Sequence, residues 1–502
     1  MSGGVWMLVA LAALVLGTGL PVWALLVGVA SASALLGVML GVFEPAVLAA
    51  MPTRLLGLLE QDLLQALPLY VFIGVLLQRV SLADAWYAGA GRLTPRWSSP
   101  HAGGVLAVGV LIAPMNGSVA AGASLLSRLV GPAWARHGTA EAGPAPARVL
   151  ALVAVAATLG VVVPPSLVLL LLGDALMRAH TEAQALPGAQ AVGQLINTRD
   201  LLHAALLPAV GLLVAWTAVA FWQMRRPPVA GVASDSASAS VAPPLPRRTQ
   251  ALAFLGALGV AALLGSVYTG RMMAVEAAAT GGVVLCLGTL VGRGLDRAGW
   301  QAVCHDTLEL SGALLALLMG ATTFSLVFRL WGTDAWLSQW VVQAPGPSWA
   351  VAAGVLAGVG LCAWVLDAFE MIFVIIPLVA PGLIARLGDA QQAGVLLLLI
   401  LQASFLWPPM GYAVLLARSQ GPWRQVRAGA LWRSLAPYLL AQAVCLVGVF
   451  VWPACVHGLD DAPAAAINPD EVLSNFPSPA RYEEPAAQPS GLEPPASAAS
   501  VP

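Results

Sequence analysis

Charge is what this chain has least of: 9% of its 502 residues are charged against 59% hydrophobic, with a mean hydropathy of +0.84. Soluble domains carry about a quarter charged residues, so a soluble globular protein is excluded and an integral membrane protein is expected. Lysine is missing, and arginine supplies all 23 basic residues, a usage attributed to genomic base composition rather than to chemistry. The five cysteines, Cys286, Cys304, Cys362, Cys445 and Cys455, stand far apart with no CxxC spacing, and none of the six histidines pairs at metal-ligand spacing. A disulfide framework and a zinc site are thereby excluded. The first apolar run, Val5 to Leu16, lacks a basic leader and flows into a second run, so it is expected to be a first helix rather than a cleaved signal. Catalytic residues, bound cofactors and a nucleic-acid partner are not expected.

What the chain does have is a succession of apolar runs from Val5 to Trp452, each long enough to enter or cross a lipid bilayer, its expected surroundings. The predicted class is all-α and polytopic. Two of these runs, ALVAVAATLGVVVPPSLVLLLL and AGVLLLLILQASFLWPPMGYAVLLA, carry a proline pair in the middle, Pro164-Pro165 and Pro408-Pro409. Proline deletes a helical hydrogen bond and pushes the residue before it out of helical geometry, so each run is expected to be two half-helices. The second half is expected to start with proline at its first position, where no amide is lost. In hydrocarbon such a break survives only where protein or a water-filled cavity surrounds it. Amides opening one half-helix attract anions and carbonyls ending the other attract cations. Two breaks at corresponding positions point to the binding site of a secondary transporter.

Aligning the proline pairs reveals an internal repeat in which a helix, a hairpin-like stretch and a broken helix follow in the same order. Residues 1–62 are read as scaffold helices with an interfacial arm over 44–63, and 63–180 as transport repeat one, with a hairpin at 103–133 and a broken helix at 147–174. Residues 181–306 are read as scaffold helices with a basic loop at 224–248, and 307–420 as transport repeat two, with a hairpin at 350–385 and a broken helix at 391–417. A C-terminal helix over 421–455 and a disordered Pro, Ala and acid-rich tail over 456–502 complete the chain. Arg225, Arg226, Arg247 and Arg248 put the 224–248 loop on the cytoplasmic side, because short cytoplasmic loops are enriched in arginine. Counting outward, the two repeats face opposite ways and both hairpins are re-entrant. Such an inverted-topology repeat suits alternating access.

The first hairpin turns at Pro114-Met115-Asn116-Gly117-Ser118, whose polar atoms are expected to coordinate a cation or substrate with the backbone of 158–163. The glycines Gly103, Gly104, Gly109 and Gly122 equally suit a plain helix contact there. In LDAFEMIFVIIP, Asp367 and Glu370 share one helical face; each ionised group costs about 2.5–3.5 kcal/mol at a membrane centre, so both must face protein or water. They are candidates for substrate binding together with Ser118, Ser166 and Arg329, although Arg329 equally suits a structural partner of the acids. Asp174 is read as a helix-end or gating residue. Ser166 and Ser404 flank the breaks, with bonds back to their own carbonyls as the alternative role. Gly160 and Gly411 permit close backbone approach, and Trp407 is read as a plug or a stacking surface.

With ALPLYVFIGVLLQR, ATLGVVVPPSLVLLLLGD, LDAFEMIFVIIPLVAPG and SFLWPPMG in hand, the chain resembles the large membrane subunit of tripartite ATP-independent periplasmic (TRAP) transporters from about Val5 to Val451. Within that family it looks most similar to the mannitol/chloroaromatic or 2-oxo acid branch. The resemblance implies a sodium-driven, elevator-type importer of an organic anion in the inner membrane. It also implies two partners, a small four-helix membrane subunit and a periplasmic solute-binding protein. Carried over by motif, sodium would be held near Asn116, Gly117, Gly160, Val163 and Pro164 in repeat one and Ala363, Ser404, Trp407 and Met410 in repeat two. The sequence departs from the family pattern at Val119, Ala363 and Trp407, so a proton taken up by Asp367 or Glu370 stays open as the coupling ion. From another class, an intramembrane aspartyl hydrolase using Asp174 and Asp367 is a rival reading. It is disfavoured because Leu172-Gly173 before Asp174 breaks the GxGD pattern.

Overall fold

The structure, a computed structural model, describes residues 3–60, 62–80, 82–93, 100–116, 119–135, 144–164, 166–187, 197–225, 247–292, 294–363, 366, 368–407, 411–419, 423–424 and 426–459. Every regular element among them is helical. The chain opens with α1 (Gly3–Thr18) and α2 (Val22–Met39), then the short α3 (Pro45–Leu48) and α4 (Met51–Leu59) over the expected interfacial arm. Repeat one follows as α5 (Asp62–Arg79), α6 (Leu82–Leu93), α7 (Pro100–Asn116), α8 (Val119–Ala135), α9 (Pro144–Ala157), α10 (Leu159–Val162) and α11 (Leu167–Gln184). Three helices intervene, α12 (Thr198–Met224), α13 (Arg247–Tyr268) and α14 (Ala274–Val291). Repeat two is α15 (Arg297–Leu330), α16 (Thr333–Gln343), α17 (Ser348–Cys362), α18 (Ala368–Glu370) running through a π turn at Met371–Ile375 into α19 (Ile376–Leu387), α20 (Ala390–Ser404) and α21 (Tyr412–Ser419). The last long helix is α22 (Ala428–Val451).

Six of the described helices are long and apolar enough to cross a bilayer, or up to eight if two bent pairs each count as one span. Their exposed faces carry lipid-suited side chains: Leu35, Leu36 and Met39 on α2, Phe254, Leu255 and Leu258 on α13, Val283, Val284 and Leu287 on α14, Leu440, Val444 and Val447 on α22. In water such a belt would be an aggregation surface, whereas hydrocarbon accepts it. The centre is different. Every residue of α20 except Gln391 is buried, as are 149–157 of α9 and 167–173 of α11, so the helices with the proline pairs are enclosed by protein, as a break in hydrocarbon requires.

Around that centre α15 packs against α2 and α5, and α5 against α14, while α12 and α22 pack on each other and on α20. Single prolines inside α5, α12, α19 and α22 (Pro68, Pro208, Pro381, Pro437) leave their helices continuous, so doubling is what distinguishes the breaks. The helix read as beginning at 307 starts ten residues earlier, at Arg297, because Asp296 caps it through Gly299 N (2.7 Å). Val456 is buried and His457 Nε2 lies 2.7 Å from Asp389 Oδ2, while residues from 460 on lie outside the described ones.

Candidate functional site

Two hairpins and two broken helices make up the site. Hairpin one, α7 and α8, spans 100–135 and hairpin two, α17 to α19, spans 348–387, each a few residues longer than expected. Their packing is exchanged. Hairpin one lies against α9 and α10, the first half of broken helix one, and against α21, the second half of broken helix two. Hairpin two lies against α20, the first half of broken helix two, and against α11, the second half of broken helix one. Glycine sets the closeness: methyls at Gly109 and Gly122 would stand 3.2 and 3.4 Å from the carbonyls of Ala156 and Ala157, at the end of α9. Of the glycines read as helix-contact residues, Gly109 and Gly122 thus lie on the backbone next to break one, whereas Gly104 meets Tyr87 of α6.

Break one has two steps. α9 ends at Ala157, where Thr158 turns and its hydroxyl donates to Val155 O (2.8 Å), and α10 then runs only to Val162. Val163 is extended (φ −73°, ψ 113°) ahead of Pro164, and the axes of the two halves differ by 42°. The expectation that proline would open the second half-helix is corrected. α11 begins at Leu167, and its cap is Ser166, whose Oγ accepts from Leu169 N (3.0 Å) while donating to Val161 O (3.1 Å). A hydroxyl that bonds both banks of the break satisfies an amide that proline could not. Ser166 is fully buried in this role.

Break two is closed by backbone. Leu406 N bonds Ala403 O (3.0 Å), Gly411 N bonds Trp407 O (2.8 Å), and Ala413 N reaches back to Phe405 O (3.1 Å). The Ser404 hydroxyl donates to Leu401 O (2.7 Å) within its own helix, and Trp407 is 40% exposed. Gly160 lies in α10, and Ala363, 6% exposed, caps α17 in hairpin two. Asn116 is the last residue of α7; its side chain, and the residues Gly117, Ser118, Asp367 and Met410, lie outside the described residues, as do Pro165, Pro408 and Pro409. Glu370 is half-buried at the head of the π turn, where Ile376 N bonds Met371 O, a five-residue span that accommodates Pro377 and its missing amide.

Amides join the two breaks. Gln402 Nε2 of α20 lies 3.4 Å from Thr158 O in break one, and Gln442 Nε2 of α22 bonds both Gln402 Oε1 (3.1 Å) and Leu399 O (3.0 Å). Gln402 and Gln442 are buried. Neither was singled out in the sequence, although each is a lone amide in a long apolar run, the kind of intramembrane polar residue that requires a partner. Asp174 is ion-paired to Arg178, one turn on. Arg329 pairs with Glu182 of α11 and stands 4.0 Å from Asp334. With Arg54 and Arg178 it lines a cavity of about 290 Å³ between α4, α11, α15 and the π turn.

Comparisons with known proteins agree with this architecture. The family profile described as "Tripartite ATP-independent periplasmic transporter, DctM component" matches residues 8–455. The sialic acid TRAP transporter large permease protein SiaM of Vibrio cholerae serotype O1 is 23% identical over 202 residues, 40% of this chain and 47% of that protein. The match therefore spans about half the length of this curated relative. The crystal structure of the Alcanivorax borkumensis YdaH transporter, described as having an unusual topology, superposes with a TM-score of 0.55 at 17% identity. That superposition covers 81% of this chain and 87% of that one, and shows likeness of fold.

Proposed function

Because the chain belongs to the DctM-component family of TRAP transporters, a multi-pass protein of the inner membrane, we propose that it is the large permease subunit of an importer for a small organic carboxylate. The coupling ion is sodium. The observation that carries this reading is the meeting of two interrupted helices at one buried point, Thr158 O against Gln402 Nε2 at 3.4 Å, with each hairpin embracing one half of each helix. Exchanged packing of this kind is what an inverted repeat produces, and it supports opposed hairpins that open one at a time.

In this mechanism sodium binds near the hairpin tips, by Asn116, Gly117, Gly160, Val163 and Pro164 on one side and Ala363, Ser404, Trp407 and Met410 on the other. Substrate sits between the hairpins, within reach of Ser118, Ser166, Asp367 and Glu370. Ser166 keeps break one open as a turn while leaving the neighbouring backbone of 163–164 non-helical. The moving unit carries the site across the bilayer as an elevator. The membrane potential contributes about 2.3 kcal/mol per net charge per 100 mV, so import of a monoanion uses it only with more than one sodium. A small four-helix membrane subunit and a periplasmic binding protein complete the transporter. The relative from Vibrio cholerae is named for sialic acid, which supports the carboxylate class; the finer assignment, a 2-oxo or aromatic acid, rests on the motifs VVPPSLVLLLLGD and LDAFEMIF.

The test is uptake of radiolabelled carboxylates into proteoliposomes containing the chain, its small subunit and the binding protein. Uptake should rise with an inward sodium gradient. Equal uptake in sodium and in choline, with a proton gradient driving it instead, would replace sodium by a proton on Glu370 or Asp367.

A further inference from the structure

Arg54 on α4, Arg178 on α11 and Arg329 on α15 line one cavity of about 290 Å³, three guanidiniums brought together from segments more than a hundred residues apart. Two are already matched: Arg178 by Asp174, and Arg329 by Glu182 with Asp334 at 4.0 Å. Arg54 has no carboxylate partner among the described residues, and it is exposed at the mouth of the cavity. The Ser325 hydroxyl also lines the cavity and makes no hydrogen bond among the described residues, whereas Thr322 is occupied with Leu318 O (2.9 Å). Ile372, Phe373 and Pro377, from the π turn and the start of α19, supply an apolar wall.

Resting on the transporter reading above, we propose that this cleft is the first binding station for the substrate, a monocarboxylate, and that Glu182 is its internal stand-in. Glu182 presents to Arg329 the group that the substrate carries. An incoming carboxylate, drawn by Arg54, takes over Arg329 and releases Glu182. Arginine suits this exchange because its planar fork carries several donors that can pass from one carboxylate to another. Charge selects the class: three guanidiniums face three carboxylates, so a monoanion adds one charge and a dianion two. The modest cavity, at the lower end of the usual range for ligand sites, selects small molecules.

The exchange has a mechanical consequence. The Glu182–Arg329 pair fastens α11, half of broken helix one, to α15, which packs on α2 and α5. Substrate binding therefore unfastens α11 from α15. Sidedness agrees, since the arginine count from the 224–248 loop puts the ends of α11 and α15 on the outer face. Arginines on that face oppose the usual insertion bias and call for a reason other than topology.

Calorimetric titration of the full-length protein in nanodiscs, in sodium buffer, with acetate, pyruvate and benzoate as monocarboxylate probes and succinate as the dicarboxylate, tests this. At least one monocarboxylate should bind better than succinate. Glu182→Gln should tighten it by about fivefold or more, because the competing anion is gone, while Arg54→Gln and Arg329→Gln weaken it by about tenfold or more. Thr289→Val, in α14 and outside the cleft, where the hydroxyl only bonds back to Leu285 O (2.7 Å), should leave it unchanged and controls for folding. No binding of any monocarboxylate, no tightening in Glu182→Gln, or displacement of the probe by phosphatidylglycerol each overturns the proposal, the last assigning the cleft to a lipid headgroup. Sodium-driven uptake that persists in all three variants defeats the cleft but leaves the transporter reading standing, whereas loss of sodium dependence in the wild type defeats that reading instead.

Discussion

The two helix breaks solve one problem in two ways. In break one a side chain does the joining: the Ser166 hydroxyl bonds Val161 O on one bank and Leu169 N on the other. In break two the backbone closes on itself, with Ala413 N returning to Phe405 O, and the serine nearest the gap, Ser404, only donates back into its own helix. A hydroxyl stitch fixes the angle between two rods. A backbone loop closed at Gly411 fixes the path of the chain and leaves Trp407 partly exposed beside it. The two proline-pair segments thus share an interruption, and its chemistry differs between them.

Substitutions can break that contrast, beginning with the largest effect. Ser166→Ala strips the cap from α11 and leaves a buried amide and carbonyl unmatched, which costs about 2–3 kcal/mol. Denaturation in mixed micelles should register that loss, and a wild-type midpoint would mean that the stitch is dispensable. Gly411→Ala comes next: the added methyl would meet Trp407 O at 3.1 Å and Leu406 O at 3.3 Å, overpacking worth about 1–2 kcal/mol. The same assay should show it, together with altered Trp407 fluorescence; an unchanged spectrum would argue against close packing in that loop. Ser404→Ala is the smallest, below about 0.5 kcal/mol, since a serine bonding back one turn adds little to a helix. A midpoint shift as large as that of Ser166→Ala would erase the distinction between the breaks.

Much of the architecture was legible in the sequence because its cues are local. The proline pairs mark where the helices are interrupted, and hydropathy marks the spans, so the all-helical, multi-span class follows from the chain alone. The capping role of Ser166 was less accessible, because proline at the first helical position is the commoner pattern and the choice here turns on a hydroxyl reaching five residues back. Gln402, Gln442 and the three-arginine cleft were illegible for a different reason. Their partners lie 40 and 244 residues away along the chain in the amide ties and 147 away in the Glu182–Arg329 pair, and no periodicity encodes such meetings. Arg329 drew notice as a possible mate for the acids of hairpin two; the partner it pairs with is Glu182, a residue of the other repeat.

The hydrogen bonds of Gln442 also bear on biosynthesis. Ribosomes deliver residues in order, so α9, α10 and α20 are inserted while the amide that will bind Gln402 is still inside the tunnel or the translocon. Until α22 arrives, Gln402 faces Thr158 O with its own oxygen unbraced. The helix α22 is therefore a late brace, and a ribosome that stalls before codon 442 releases a polypeptide whose amide tie lacks its second member.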